Sequence, residues 1–347
     1  MRTEGLMGIR AAVCREYGTP DVVTVETIEP PTLGAGQVRI DVAVAAVNYP
    51  DVLLVANKYQ ISAPLPFVPG GELSGVITEM APDVSGFSVG DRVAATMMVG
   101  AFTDQVVAPS GSIRLVPASL DLQVAAAVGV AHRTSMHVLR SVANVQPGEV
   151  VVVLGAGGGV GLAAVQLADK FGAIVIAVAS SDEKLEAAAA AGATHLVNHR
   201  TQALRDEYQR VAPQGIDVVV DPVGGELAEP TLRSMRYGGR FVTVGYASQV
   251  VPKIPLNLVL LKGITICGFE FRTFVANEPE AYGRNEAELS ALVESGGIVP
   301  LIGASFQLEQ VVDALRLVGD GRAVGKVIIE MVRPDRHSPN IRVDEEN

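Results

Sequence analysis

The stretch Val150-Val151-Val152-Val153-Leu154-Gly155-Ala156-Gly157-Gly158-Gly159-Val160-Gly161 decides the fold. Its first five residues are apolar and four are β-branched, the composition of a strand buried on both faces. A glycine-rich turn follows, and then residues 162–171 read as a helix. Val160, Ala164, Leu167, Ala168 and Phe171 share one helical face, and Gly172 suits the helix end. Strand, glycine turn and helix form the context in which a glycine pattern carries meaning. Ala156, Gly158 and Gly161 take the three places of G-x-G-x-x-G, so alanine replaces the first glycine. The physical tasks can still be met. Residues 155–159 turn tightly, Gly158 lets the backbone approach a pyrophosphate, and Gly161 lets the helix pack close to the strand. The helix start offers free N–H groups and positive partial charge. Gly157, Gly158, Gly159 and Val160 are therefore predicted contacts of a dinucleotide.

Working outward, strands at 174–178, 195–197, 216–220, 240–244 and 264–269 alternate with helices at 182–191 and 227–235. Six strands with crossover helices predict a doubly wound parallel sheet of Rossmann type, an α/β fold with its ligand at the carboxyl ends of the strands. Before it, short runs at 9–13, 22–26, 37–44, 76–80, 92–95 and 102–107 are punctuated by Gly and Pro, which predicts an antiparallel β domain, a barrel. After residue 273 the alternation ends. Helices at 286–294 and 308–318 and a strand at 327–330 are expected to return to the first domain. The polar tail 333–347 is expected to be disordered.

A chain of 347 residues suggests two domains, and 48% apolar content supports a large core. The net charge of −11 argues against a nucleic-acid partner. Two cysteines, Cys14 and Cys267, exclude a disulfide framework or a four-cysteine zinc lobe and suit the cytoplasm. No apolar run is long enough for a membrane span, and Met1 to Gly5 lacks the apolar core of a signal peptide. Gly86-Phe87-Ser88-Val89-Gly90 fits G-x-S-x-G, but it lies between two short strands with no helix after it, so it is no nucleophile elbow.

The end of the second parallel strand selects the dinucleotide. An acidic residue there would hold the ribose 2′-OH of NAD. The place is held instead by Ala179-Ser180-Ser181, with Lys184 one turn on. Hydroxyls and an ammonium suit the 2′-phosphate of NADP(H). Ser180-Ser181-Asp182-Glu183 also fits a capping box, so Ser180 has a second reading as a helix cap.

Further motifs carry a family resemblance. They are Gly70-Gly71-Glu72-Leu73-Ser74-Gly75, Val89-Gly90-Asp91-Arg92-Val93, Gly158-Gly159-Val160-Gly161 with Ala164-Val165-Gln166-Leu167-Ala168, Ala191-Gly192-Ala193, and Asp221-Pro222-Val223-Gly224-Gly225. From about residue 9 to 330 the chain resembles zinc-independent medium-chain dehydrogenases/reductases of the quinone oxidoreductase type, the zeta-crystallin group. The resemblance implies a GroES-like catalytic domain (1–126 and 273–347) split around a Rossmann domain (127–272). It also implies a homodimer joined through the edge strand near 264–269. Zinc-containing relatives carry cysteine where Asn48 stands and histidine where Gly71 stands, and neither residue here can supply thiolate or imidazole.

Without a Lewis acid, hydride can still pass to an activated acceptor, a quinone or an α,β-unsaturated carbonyl (enone). The acceptor carbon must lie roughly 3–3.5 Å from nicotinamide C4, and a donor must meet the forming anion. Asn48 is a candidate donor; its alternative is a turn residue before Pro50. Tyr59 matches the tyrosine that related enoyl-thioester reductases use as proton donor, and a phenol of pKa about 10 keeps its proton at neutral pH. Thr134 matches a threonine facing the nicotinamide, and His199 falls where relatives carry a tyrosine near the adenosine phosphate. Gly245 and Tyr246 should lie beside the cofactor. Residues 269–274 are a candidate pocket wall, and Lys326 is either a surface charge or a cofactor contact. The expected activity is NADPH-dependent reduction of a quinone or enone. A 2-enoyl-thioester (enoyl-CoA or acyl-carrier) reductase and a low-turnover NADPH-binding sensor are the alternatives.

Overall fold

The computed structural model describes residues 8–331. The predicted tail at 333–347 and all seven residues before Gly8 lie outside the described residues.

Val150–Leu154 is the centre of the larger architecture. Val151, Val152, Val153 and Leu154 are fully buried, because helices cover both faces of their sheet. Val151 and Val153 enter one core with Val175, Ala177, Val218 and Val220. Val152 and Leu154 enter the opposite core with Ile176, Val178 and Val219. This is the period-2 alternation of a strand covered on both sides. The sheet runs His195–Asn198, Ile174–Ala179, Val150–Leu154, Ile216–Asp221, Met235–Thr243, Thr265–Gly268. Every neighbouring pair is parallel. Strand order thus reverses beside the first strand, the point at which doubly wound sheets place their ligand crevice, at the carboxyl ends.

The second sheet follows the path Ile302–Gln307, Lys326–Glu330, Gln37–Val47, Glu72–Met80, Arg92–Thr96, Ile113–Leu115, and Gln105–Pro109 also pairs with Gln37–Val47. This is the GroES-like part, and its pairing requires no closed ring. Its strands are antiparallel with one correction: Ile302–Gln307 pairs parallel to Lys326–Glu330. The C-terminal strand returns as expected, with Ile328 opposite Ala46. Ile9–Cys14 and Val23–Ile28 form a separate hairpin pair. The helix Pro279–Glu294 buries Leu289 and Val293 in the core of the parallel sheet, although the predicted limits assign it to the GroES-like domain.

Candidate active site

The glycine turn is built as its sequence demands. Gly155 takes φ +64°, and its carbonyl accepts from Gly158 N at 3.0 Å. A Cβ on Gly161 would stand 2.1 Å from that same carbonyl oxygen, so only glycine lets the helix Gly159–Lys170 start so close to the strand. Gly158 caps this helix in extended conformation, and the first-turn amides, including those of Gly159 and Val160, lie at the helix's positive end. Gly157 lies on the stem of Lys184, where a Cβ would come within 2.4 Å of Lys184 Cβ. Its carbonyl accepts from Gly325 N at 2.8 Å. The four predicted contacts are thus brought together.

Ser180 follows the strand Ile174–Ala179, and Ser181 caps the next helix, its hydroxyl accepting from Lys184 N at 3.4 Å. The cap is therefore one residue later than the Ser180–Glu183 box, and Ser180 is left free of capping. Asp182 accepts from Asn198 Nδ2 at 2.9 Å, which turns that carboxylate toward the third strand. Lys184 donates from Nζ to the carbonyl of Gly321. Burial, and then the charge of Arg200, lower its pKa. His199 is lowered by burial first and by Arg200 next. Arg200 was not among the predicted residues. Its signal was its position, directly after His199 beyond the third strand.

At the far end of the sheet, Val244 N and Gly245 N both donate to the carbonyl of Asp221, at 2.8 and 3.4 Å. Tyr246 packs against Gly224, where a Cβ would be 2.8 Å from its Cδ1. Asp221 Oδ1 accepts from Val223 N and Gly224 N, so this carboxylate shapes the turn from inside. Thr134 lies on the helix Ala131–His137. The adjacent Ser135 donates to Val160 O at 2.9 Å, which fixes that helix to the dinucleotide turn.

Opposite the turn stands a buried polar network. Asn48 precedes the helix Tyr49–Val55, with Pro50 in the first turn where its missing N–H does no harm. Asp51 Oδ2 accepts from Asn48 N at 2.7 Å. The Asn48 side chain points elsewhere. Its Nδ2 donates to Glu72 Oε2 at 2.9 Å and to Ala46 O at 3.3 Å, and its Oδ1 accepts from Lys326 Nζ at 2.6 Å. Both amide hydrogens are engaged, which corrects the expectation of Asn48 as a free donor. Lys326 also donates to Glu72 Oε2 at 3.0 Å. It is 3% exposed, so it is not a surface charge. Burial pushes the Asp51 carboxyl up to about 7, against its hydrogen bond from Asn48. Burial likewise pushes His132 down to about 4. Gln166 Nε2 donates to Val299 O, so its Oε1 faces His132 Nε2 at 2.9 Å and places the imidazole hydrogen there. Tyr59 is half-buried against the GroES-like core. Burial raises its pKa, and the charges of Arg272, Glu270 and Asp51 reach it.

Two family descriptions match the chain: an alcohol dehydrogenase GroES-like domain over residues 34–118 and a zinc-binding dehydrogenase domain over residues 159–285. Quinone oxidoreductase-like protein 2 of Mus musculus is 35% identical over 324 residues, covering 93% of this chain and 92% of that protein. The chain belongs to the quinone oxidoreductase family of medium-chain dehydrogenases/reductases. The synaptic vesicle membrane protein VAT-1 homolog of Homo sapiens is 31% identical over 339 residues, covering 92% of this chain and 86% of its own. A mycobacterial protein solved in complex with NADPH superposes with a TM-score of 0.86 at 27% identity, covering 93% of this chain and 100% of that one.

One of the matching descriptions names zinc, and the residues of this quinone oxidoreductase family member do not fit it. A Cβ on Gly71 would stand 2.9 Å from the carbonyl of Met97, so no imidazole could be accommodated there. At the other position the Asn48 carbonyl faces an ammonium. Among the described residues no three His, Cys, Asp or Glu side chains gather to hold a metal. No helix among them is long and apolar enough to cross a membrane. Within the segment 269–274, expected as a pocket wall, the charges of Glu270 and Arg272 reach Tyr59. Phe271–Asn277 is a helix, and Phe269, Phe271 and Phe274 gather around His137, with Phe274 at 4.8 Å between ring centroids. Arg133 lies over Phe271 at 5.0 Å. These rings pack against one another and against His137, and this packing accounts for their position.

Proposed function

We propose that this chain is an NADPH-dependent oxidoreductase that reduces quinones or α,β-unsaturated carbonyls without a metal. One observation carries the proposal: an intact dinucleotide turn faces a site whose two zinc-ligand positions are an engaged amide and a glycine with no room for a side chain. Such a site favours acceptors that delocalise the incoming charge onto their own oxygen. NADPH, when bound, supplies the hydride. The amides at the start of Gly159–Lys170 hold its pyrophosphate, and Ser180, Ser181, Lys184, His199 and Arg200 hold its 2′-phosphate. Thr134, Gly245 and Tyr246 border the nicotinamide. Tyr59, like an ordinary phenol, keeps its proton at neutral pH, burial raises its pKa further, and it donates that proton to the oxygen where charge develops. A quinone thereby takes up one hydride and one proton and becomes the hydroquinone.

Two structural proposals accompany this one. The second domain limit lies nearer residue 300 than 273, since Leu289, Val293 and Ile298 share the parallel sheet's core. The protein is a homodimer through Thr265–Gly268, whose outer edge has no strand partner among the described residues. Leu256, Leu260, Leu261 and Tyr237 lie exposed nearby, Leu260 at 81%, an apolar patch suited to a second copy. Two free cysteines are compatible with a cytoplasmic setting.

The test follows nicotinamide absorbance with NADPH and with NADH, using benzoquinone, phenanthrenequinone and crotonyl-CoA. Oxidation of NADPH by the quinones, with crotonyl-CoA idle, is expected. Preference for crotonyl-CoA would establish the thioester reductase instead, and NADPH binding without turnover would establish the sensor.

A further inference from the structure

Lys326, Asn48 and Glu72 form a closed triangle in which each side chain bonds the other two. Asn48 and Glu72 lie 278 and 254 residues before Lys326 in the chain. Glu72 is 1% exposed and Lys326 3%. A buried ion pair of this kind gives little net stability over apolar side chains of similar volume, so stability alone does not account for it.

Its place in the fold suggests a task. On one side, Lys326 directly follows Gly325, whose N–H donates to the carbonyl of Gly157 at 2.8 Å, and Gly158 bridges Gly325. The lysine stem lies 3.3 Å from where a Cβ on Gly159 would stand. The strand start is thus fastened to the dinucleotide turn. On the other side, Asn48 opens the helix Tyr49–Val55. That helix ends at Val55 with Ala56 as its cap, and Asn57, at φ +52°, turns the chain toward Tyr59. Glu72 adds a third tie. Its Oε1 accepts from Val130 N at 2.8 Å, at the start of the helix carrying Thr134. A Cβ on Gly129 would stand 2.6 Å from that oxygen and would push the Glu72 carboxylate aside.

We propose that Lys326 is a positioning residue for hydride transfer: its ammonium, clamped by Asn48 and Glu72, fixes the spacing between the dinucleotide turn and the segment that carries Tyr59. This rests on the function proposed above. Lys326 forms and breaks no covalent bond and transfers no proton. Its effect is geometric, because a displacement of about 1 Å between reacting groups can slow transfer about 100-fold.

The test uses three variants of the full chain. Lys326→Met removes the ammonium but leaves Glu72 buried without its cation, so it can fail to fold. The double variant Lys326→Met/Glu72→Gln removes both charges and keeps the experiment decisive. Lys326→Arg keeps a cation of altered shape. In the double variant we expect a thermal midpoint near wild type, NADPH affinity within about 3-fold, and kcat lower by about 100-fold. The isotope effect from deuterated NADPH should rise as hydride transfer becomes limiting. Lys326→Arg should recover part of kcat. Hydrogen exchange supplies a readout that needs no turnover. NADPH should slow exchange across residues 48–59 in wild type, and only around the glycine turn in the double variant. A folded double variant with wild-type kcat and isotope effect, or with unchanged protection of 48–59, overturns the proposal. If wild type turns over none of the acceptors, the proposed function fails, while the exchange pattern still decides the role of Lys326.

Discussion

The two walls of the crevice are made in opposite ways. The dinucleotide wall is local: Gly155, Gly158 and Gly161 act within seven consecutive residues, largely through backbone, and Gly161 is required by a carbonyl only six residues earlier. The acceptor wall is assembled from afar. Asn48, Glu72 and Lys326 come from three strands or strand ends of one sheet and meet only when the C-terminal strand slots beside Gln37–Val47. The first wall leaves no room for a side chain at Gly161 and contains no titratable group in its turn. The second holds buried groups whose charge states matter.

The strongest challenge to this contrast is Gly161→Val. A branched side chain must displace the carbonyl of Gly155, and NADPH affinity should fall about 1000-fold, or about 4 kcal/mol. Calorimetric titration checks it, and affinity near wild type would mean that the turn is less constrained than its geometry indicates.

The buried titratable groups on either side of the crevice should reveal themselves through pH. Asp51 is held at about 7 in the fold against an ordinary 3.8. The folded state therefore binds its proton more tightly, and that contribution to stability is lost as pH rises from about 4 to 7. His132 is held at about 4 against 6.5. Its contribution is present above about 6.5 and is lost as pH falls toward 4. Each effect is worth roughly 3–4 kcal/mol, and over the shared window they oppose. Asp51→Asn should make acid destabilisation steeper, and His132→Gln should reverse its sign. Urea midpoints between about pH 4.5 and 7.5 measure both. Identical profiles for the two variants would contradict the assignment.

Tyr59→Phe sharpens the contrast by leaving the dinucleotide wall intact. We expect kcat to drop about 100-fold and NADPH affinity to hold. Lys184→Ala should do the converse on a smaller scale. It should weaken NADPH about 10-fold, the worth of one charge-assisted hydrogen bond, and leave NADH unaffected. Binding titrations with both dinucleotides decide this.

The same contrast explains what the sequence revealed. The parallel sheet, its strand at Val150–Leu154 and the glycine turn were legible because each is specified by neighbours in the chain. The cap at Ser181 was misplaced by one residue because Ser180 and Ser181 both carry a hydroxyl and only backbone direction separates them. The helix Tyr49–Val55 was hidden by Pro50, which suits a turn and a first helical turn equally. The engagement of Asn48 and the burial of Lys326 were illegible, since both depend on a strand pairing across some 280 residues. Arg200 was visible as a basic residue, but its field on Lys184 and His199 required the third strand's position.

The central claim is that one wall binds NADPH and the other sustains its chemistry. Single-turnover stopped flow on wild type and Tyr59→Phe, with phenanthrenequinone and NADPH affinity measured on the same samples, tests it most directly. We predict rapid oxidation of bound NADPH by wild type, and a transfer rate about 100-fold lower in Tyr59→Phe at equal affinity. Equal transfer rates in the two proteins, or a loss that appears only in affinity, would contradict the account.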